Sequence, residues 1–205
     1  MADASPVEDA LALLEFESVA GGLRALDALV KRAPVSVLEA NLVEPGRFLV
    51  MFCGGVAEVD ESFTAARDIG GDQVTDQMFL PYAHPILLAG LRGQDDLRTA
   101  DELDTLGVVE GGRVACTLQA CDRALKDAGV ALTGIRVAGG LGGRAYFLVH
   151  GAQHDVEAAL EVAGGVLDEA GHRHRIECIP RPHEEMVAWL LRPAPFSLRG
   201  RAGEG

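Results

Sequence analysis

A chain that carries one segment twice has little choice but to fold as two copies of one domain, and here both copies are visible at fixed offsets. LLEFESVAGGLRALDALVKRAPVSVL, from Leu13, aligns with GVVEGGRVACTLQACDRALKDAGVAL, from Gly107 with one residue of slack. Glu15, Asp27, Lys31 and Ala33 match Glu110, Asp122, Lys126 and Ala128, each 95 residues on. Beyond a glycine loop the offset becomes 97, setting Gly46-Arg47 on Gly143-Arg144 and Gly54 on Gly151, so the second loop is two residues longer. Further on it becomes 99, and LPYAHPILLAGL from Leu80 lies over IPRPHEEMVAWL from Ile179. The 205 residues suit two domains of about a hundred each.

Each copy reads in the same order. An apolar strand near 10–17 or 105–110 leads into an amphipathic helix near 21–32 or 113–127, with apolar residues three and four apart. A hairpin follows, with strands near 35–42 and 47–54 or 130–138 and 144–150, then a second helix near 56–69 or 153–170. A last strand near 73–80 or 173–179 runs into proline and a short helix. The fold class is α+β, two tandem β-α-β-β-α-β copies of ferredoxin-like order. The expected boundaries are a flexible N-terminus at 1–9, a first domain at 10–92, an acidic link at 93–104, a second domain at 105–192 and a disordered Pro/Gly/Arg tail at 193–205.

Within the second hairpin, Gly140, Gly142 and Ala145 spell G-x-G-x-x-A, the outline of a dinucleotide-binding turn. That turn requires a helix after the glycines, because the pyrophosphate sits on the amides of a helix N-terminus. Here Ala145-Tyr146-Phe147-Leu148-Val149 follows, a run that prefers an extended chain, so the glycines form a hairpin tip. The formal charge of −13 argues against a nucleic-acid partner, and no basic patch is visible along the chain. The N-terminus lacks a basic, long apolar leader and no apolar run reaches the roughly 20 residues of a membrane span, so a cytosolic protein is expected. Cys53, Cys116, Cys121 and Cys178 show no zinc or disulfide spacing and read as reduced thiols. His172 and His174 could share a strand face as ligands, but HRHR reads better as a solvated cationic patch, and His150 and His154 rank similarly. No nucleophile and base stand together, so no enzyme, metal or cofactor is expected.

The two copies resemble the bacterial microcompartment (BMC) shell domain in its tandem, non-permuted form, over about residues 10–192. The resemblance is carried by ALALLEFES and TLGVVEGG, the helix ends ALDALVKRAPV and ACDRALKDAGV, the hairpin leading to glycine, and IPRPH at Ile179 to His183. It implies a structural shell protein whose homotrimers imitate six-fold tiles, partnered by hexameric and pentameric shell proteins, in a shell within the cytoplasm. It implies that the hairpin tips line a central pore for small metabolites: Val43, Glu44, Pro45 and Gly46 from one copy, Gly139, Gly140, Leu141, Gly142 and Gly143 from the other. Glu44 would favour cations at that rim, bare glycine amides would favour anions, and Glu44 reads equally as an ordinary turn residue. It also implies tile edges at Lys31, Lys126 and Arg181, with Tyr82 standing where the first copy would carry Arg181's counterpart. A cysteine at the pore lip, as in iron–sulfur members, is absent from both loops. A cytosolic ferredoxin-like sensor binding a small molecule is the alternative, and it would form a discrete dimer in place of sheets.

Overall fold

The computed structural model describes residues 9–93 and 103–190. The expected flexible N-terminus up to Glu8, the link at 94–102, the last two residues of the second domain and the tail at 193–205 lie outside the described residues. The chain divides between Pro85 and Ile86 into two compact units.

In the first unit, β1 (Ala10–Phe16), α1 (Val19–Arg32), β2 (Ser36–Val43), β3 (Arg47–Gly54), α2 (Val56–Gly70) and β4 (Val74–Leu80) follow in the expected order, with a 3-10 turn at Gly71–Gln73 before β4. The strands lie β2-β3-β1-β4, every neighbouring pair antiparallel. This is the ferredoxin-like arrangement, in which each helix carries the chain over one strand. The short helix α3 (Pro85–Leu91) starts at the boundary and belongs, past its first residue, to the second unit.

Strand alternation explains the core. Ala10, Ala12, Leu14 and Phe16 of β1 and Phe48, Val50 and Phe52 of β3 face Ala25 and Leu29 of α1 and Val59, Phe63 and Ala66 of α2. Full burial of each large apolar side chain contributes about 1.5–3 kcal/mol. Helix α1 comes so close to β3 at Gly22 that any Cβ there would collide with the Phe48 ring. The helix begins at Ser18, whose hydroxyl accepts the Gly21 N–H at 3.1 Å and donates to Gln73 Oε1 at 2.8 Å, satisfying an N–H that the first turn cannot bond internally. On edge strand β2, burial raises the carboxyl pKa of Glu39, and hydrogen bonds from Ala40 and Asn41 only partly oppose it. A raised carboxyl disfavours the ionised folded state, so Glu39 weakens this edge as the pH climbs above its usual 4.5.

The second unit repeats the plan: β5 (Thr105–Gly111), α4 (Val114–Asp127), β6 (Ala131–Val137), β7 (Ala145–Gly151), α5 (Gln153–Glu169), β8 (His174–Pro180) and α6 (Glu184–Leu190), with strand order β6-β7-β5-β8. The pairing registers confirm the duplication residue by residue. Glu15 pairs with Leu49 and Asp76, and Glu110 with Tyr146 and Arg175.

Candidate functional site

The two hairpin tips are built differently on equivalent strands. Val43 pairs with Arg47 at the end of the β2/β3 ladder, and Glu44-Pro45-Gly46 closes the turn through a cis Glu44–Pro45 peptide and a Gly46 N–H donated to Val43 O at 3.0 Å. Gly46 has φ +89°, where a glycine escapes the Cβ penalty. Glu44, Pro45 and Gly46 are exposed, whereas Val43 is buried. Val43, grouped with them in the expected lip, is the buried member of the four, so three residues are exposed at this tip.

The second tip spans Ala138 to Arg144, between Val137 and its partner Ala145. Ala138, Gly140, Gly142 and Gly143 all have positive φ. The loop bonds to itself: Gly139, Leu141 and Arg144 donate their N–H groups to Val137, Ala138 and Leu141 carbonyls. Gly139, Gly140 and Gly142 are exposed, Leu141 is half-buried and Gly143 is buried, so less bare amide is presented than five consecutive residues imply. Strand β7 follows directly, and the G-x-G-x-x-A outline has no helix to hold a pyrophosphate.

An ion pair roots each tip in its sheet. Arg47 Nη1 donates to Glu15 Oε1 at 2.5 Å and Arg144 Nη1 donates to Glu110 Oε1 at 2.6 Å, in both cases across the diagonal of the central strand pair. The sequence matched these four residues as separate coincidences, and only the register joins them. The pairs differ in depth: the Glu15 side chain is 0% exposed, that of Glu110 46%.

The expected edge lysines each close an i, i+4 pair with the aspartate one turn earlier, Lys31 to Asp27 at 2.6 Å and Lys126 to Asp122 at 2.5 Å. Lys31 stands in solvent, while Asp122 is nearly buried and holds Lys126 closer to the surface. Arg181 is exposed at φ +49°, its N–H donated to Asp104 O at 2.8 Å, and Tyr82 is exposed in the first copy. Cys53, Cys116 and Cys121 are buried free thiols and Cys178 is a half-buried one. Burial, reinforced by the neighbouring Asp122 carboxylate, pushes the Cys121 thiol far up, which disfavours its thiolate. His150 is buried with Nδ1 2.7 Å from Thr133 Oγ1 across β6/β7. Among the described residues no group of three or more His, Cys, Asp or Glu side chains is placed to hold a metal ion, and no helix is long and apolar enough to cross a membrane.

The BMC domain model matches the chain twice, at residues 10–83 and 105–182. The bacterial microcompartment shell protein PduT of Citrobacter freundii is 36% identical over 180 residues, spanning 88% of this chain and 96% of that protein. The crystal structure of a microcompartment protein from Desulfitobacterium hafniense DCB superposes with a TM-score of 0.80 at 32% identity, covering 87% of this chain and 97% of that one. A fused permuted hexameric shell protein from the RMM microcompartment aligns at 17% identity and a TM-score of 0.52, over 80% and 87% of the two chains, a likeness of fold alone. The ligand-sensor alternative finds no support in these relatives.

Proposed function

The chain belongs to the BMC-domain family of microcompartment shell proteins, and on that premise we propose that three copies close into a pseudo-hexameric tile with a central pore. Its role is structural, and its partners are further copies of itself and other shell proteins. The observation that carries ring closure is an asymmetry between the duplicated helices. On α1, Val19, Leu23 and Val30 form one stripe that is 36%, 51% and 48% exposed. At the equivalent positions of α4, Val114, Leu118 and Leu125 are buried. A fold that needs this stripe covered in one copy and leaves it open in the other has unlike faces to join, and head-to-tail joining of unlike faces generates rings. Light scattering on the purified protein is expected to give about 65 kDa, three chains of 21.6 kDa each. A stable dimer or monomer at micromolar concentration would remove the tile.

In such a ring three Glu44-Pro45-Gly46 tips alternate with three glycine tips around one axis, and small metabolites pass between them. The glycine loop spends the Ala138, Gly139, Leu141 and Arg144 N–H groups on its own carbonyls and that of Val137, and the exposed Glu44 carboxylates of the other tip set the sign of the potential, which low-dielectric walls focus. Glu44→Gln is expected to lower the cation preference of the pore severalfold in bilayer conductance measurements. Unchanged selectivity would return Glu44 to an ordinary turn residue. Lys31, Lys126 and Arg181 are assigned to the contacts between tiles. The exposed Lys31 offers the more adaptable edge, and Tyr82 replaces guanidinium chemistry with an aromatic surface in the first copy. The shell so built lies in the cytoplasm.

A further inference from the structure

The linear chain offers only the short HRHR run as a cationic patch, and the fold enlarges it. A cavity of about 710 Å³ in the second unit is lined by Arg113, Arg144, Arg173, Arg175, His172 and His174, with Glu110 the single carboxylate among its walls. Four of the chain's 18 lysines and arginines thus converge on one hollow of a protein whose formal charge is −13. Glu110 is engaged by Arg144, and Arg175 Nε lies a long 3.5 Å from the exposed Glu177. His174 Nε2 is 3.7 Å from the exposed Asp168. Exposed pairs of this kind are weak, and the walls themselves still carry four guanidiniums to one carboxylate.

The duplicate copy shows that the fold does not require this arrangement. The register that sets Arg175 opposite Glu110 sets Asp76 opposite Glu15 in the first unit. Where Arg113 precedes α4, Ser18 precedes α1 and caps its N-terminus with Gln73 behind it. Helix α4 has no side-chain cap, and Gly111, Gly112 and Arg113, which lead into its first turn, form one wall of the cavity. A neutral cap and an acidic strand have been exchanged for an uncapped 14-residue helix start facing a ring of guanidiniums. Both changes raise the positive potential in the same volume, which exceeds what a single simple oxyanion fills.

We propose that this cavity binds a small phosphate-bearing molecule, held by Arg113, Arg173 and Arg175 against the start of α4, with Arg144 fixed at its rim by Glu110. Guanidinium forks match phosphate oxygens in pairs and supply charge-assisted hydrogen bonds. Residues of the second unit alone line the cavity, Gly142 of the proposed pore lip among them, so binding can be measured whatever the assembly state of the protein. The probe is inorganic pyrophosphate, titrated calorimetrically into the full-length protein at low salt. The expected result is saturable binding at one site per chain, weakened about tenfold or more by Arg173→Ala and again by Arg175→Ala. Both side chains are exposed, Arg173 just before the edge strand β8 and Arg175 on it, so neither variant disturbs the core. Arg32→Ala, removing a cation of the first unit that pairs with Glu61, is expected to leave the affinity unchanged. Absence of saturable binding by the unaltered protein, wild-type affinity in both Arg173→Ala and Arg175→Ala, or an equal loss in Arg32→Ala would each overturn the proposal.

Discussion

Arg47→Ala is expected to destabilise the first unit by about 3 kcal/mol or more, while Arg144→Ala, the same substitution in the second copy, costs less than about 1 kcal/mol. The contrast follows from depth. Glu15 is fully buried on the sheet face opposite the helices, where the Arg47 guanidinium is an ionic partner at 2.5 Å and Thr75 Oγ1 a more distant donor at 3.4 Å. Asp76 stands directly across the ladder from Glu15, so losing the guanidinium also leaves two carboxylates facing each other, an arrangement sheets disfavour. In the second copy Glu110 is half in water and its cross-strand neighbour is Arg175, so water and a second cation replace what Arg144 provided. At 4–8 °C per kcal/mol for a domain of about this size, the Arg47 variant should lower the melting of its unit by more than about 10 °C. Scanning calorimetry of the two variants checks this. Equal shifts would mean that burial does not distinguish the pairs, and a Glu15→Gln/Arg47→Met double variant that recovers most of the loss would identify uncompensated charge as its cause.

The fold was legible because duplication lets two noisy patterns be read as one. Every strand and helix of the β-α-β-β-α-β order falls within a few residues of its expected span, since β1 and β5 are near-continuous apolar runs and the helices keep their three-and-four spacing. What escaped depends on register. Glu15 and Arg47 lie 32 residues apart in the chain and meet only because β1 and β3 pair with Glu15 opposite Leu49. HRHR is largely exposed, as a solvated patch should be, but only β8 lying beside β5 brings it up to Arg113 and Arg144. Nor does the linear chain show that Val43 is buried between the exposed Leu42 and Glu44. Alignment of copies finds what both share; the differences between them, an open α1 stripe against a buried α4 stripe and an acidic strand against a basic one, become meaningful only when burial is known.

That open stripe predicts the largest effect on assembly. Leu23→Asp should reduce the particle from about 65 kDa to the 21.6 kDa of a single chain. Leu23 is 51% exposed between Val19 and Val30, so within one chain an aspartate there meets water and changes stability by no more than about 0.5 kcal/mol. In a closed ring the same carboxylate would be buried without a partner at each of three interfaces, at a cost of several kcal/mol apiece. Lys31→Ala, two turns further along α1 and engaged by Asp27, serves as the contrast. It belongs to the proposed contacts between tiles and should leave the mass at three chains while reducing sheet formation seen by electron microscopy. A Leu23→Asp protein that still sediments as three chains would show that this stripe faces solvent in the assembled particle, and another surface would then have to close the ring.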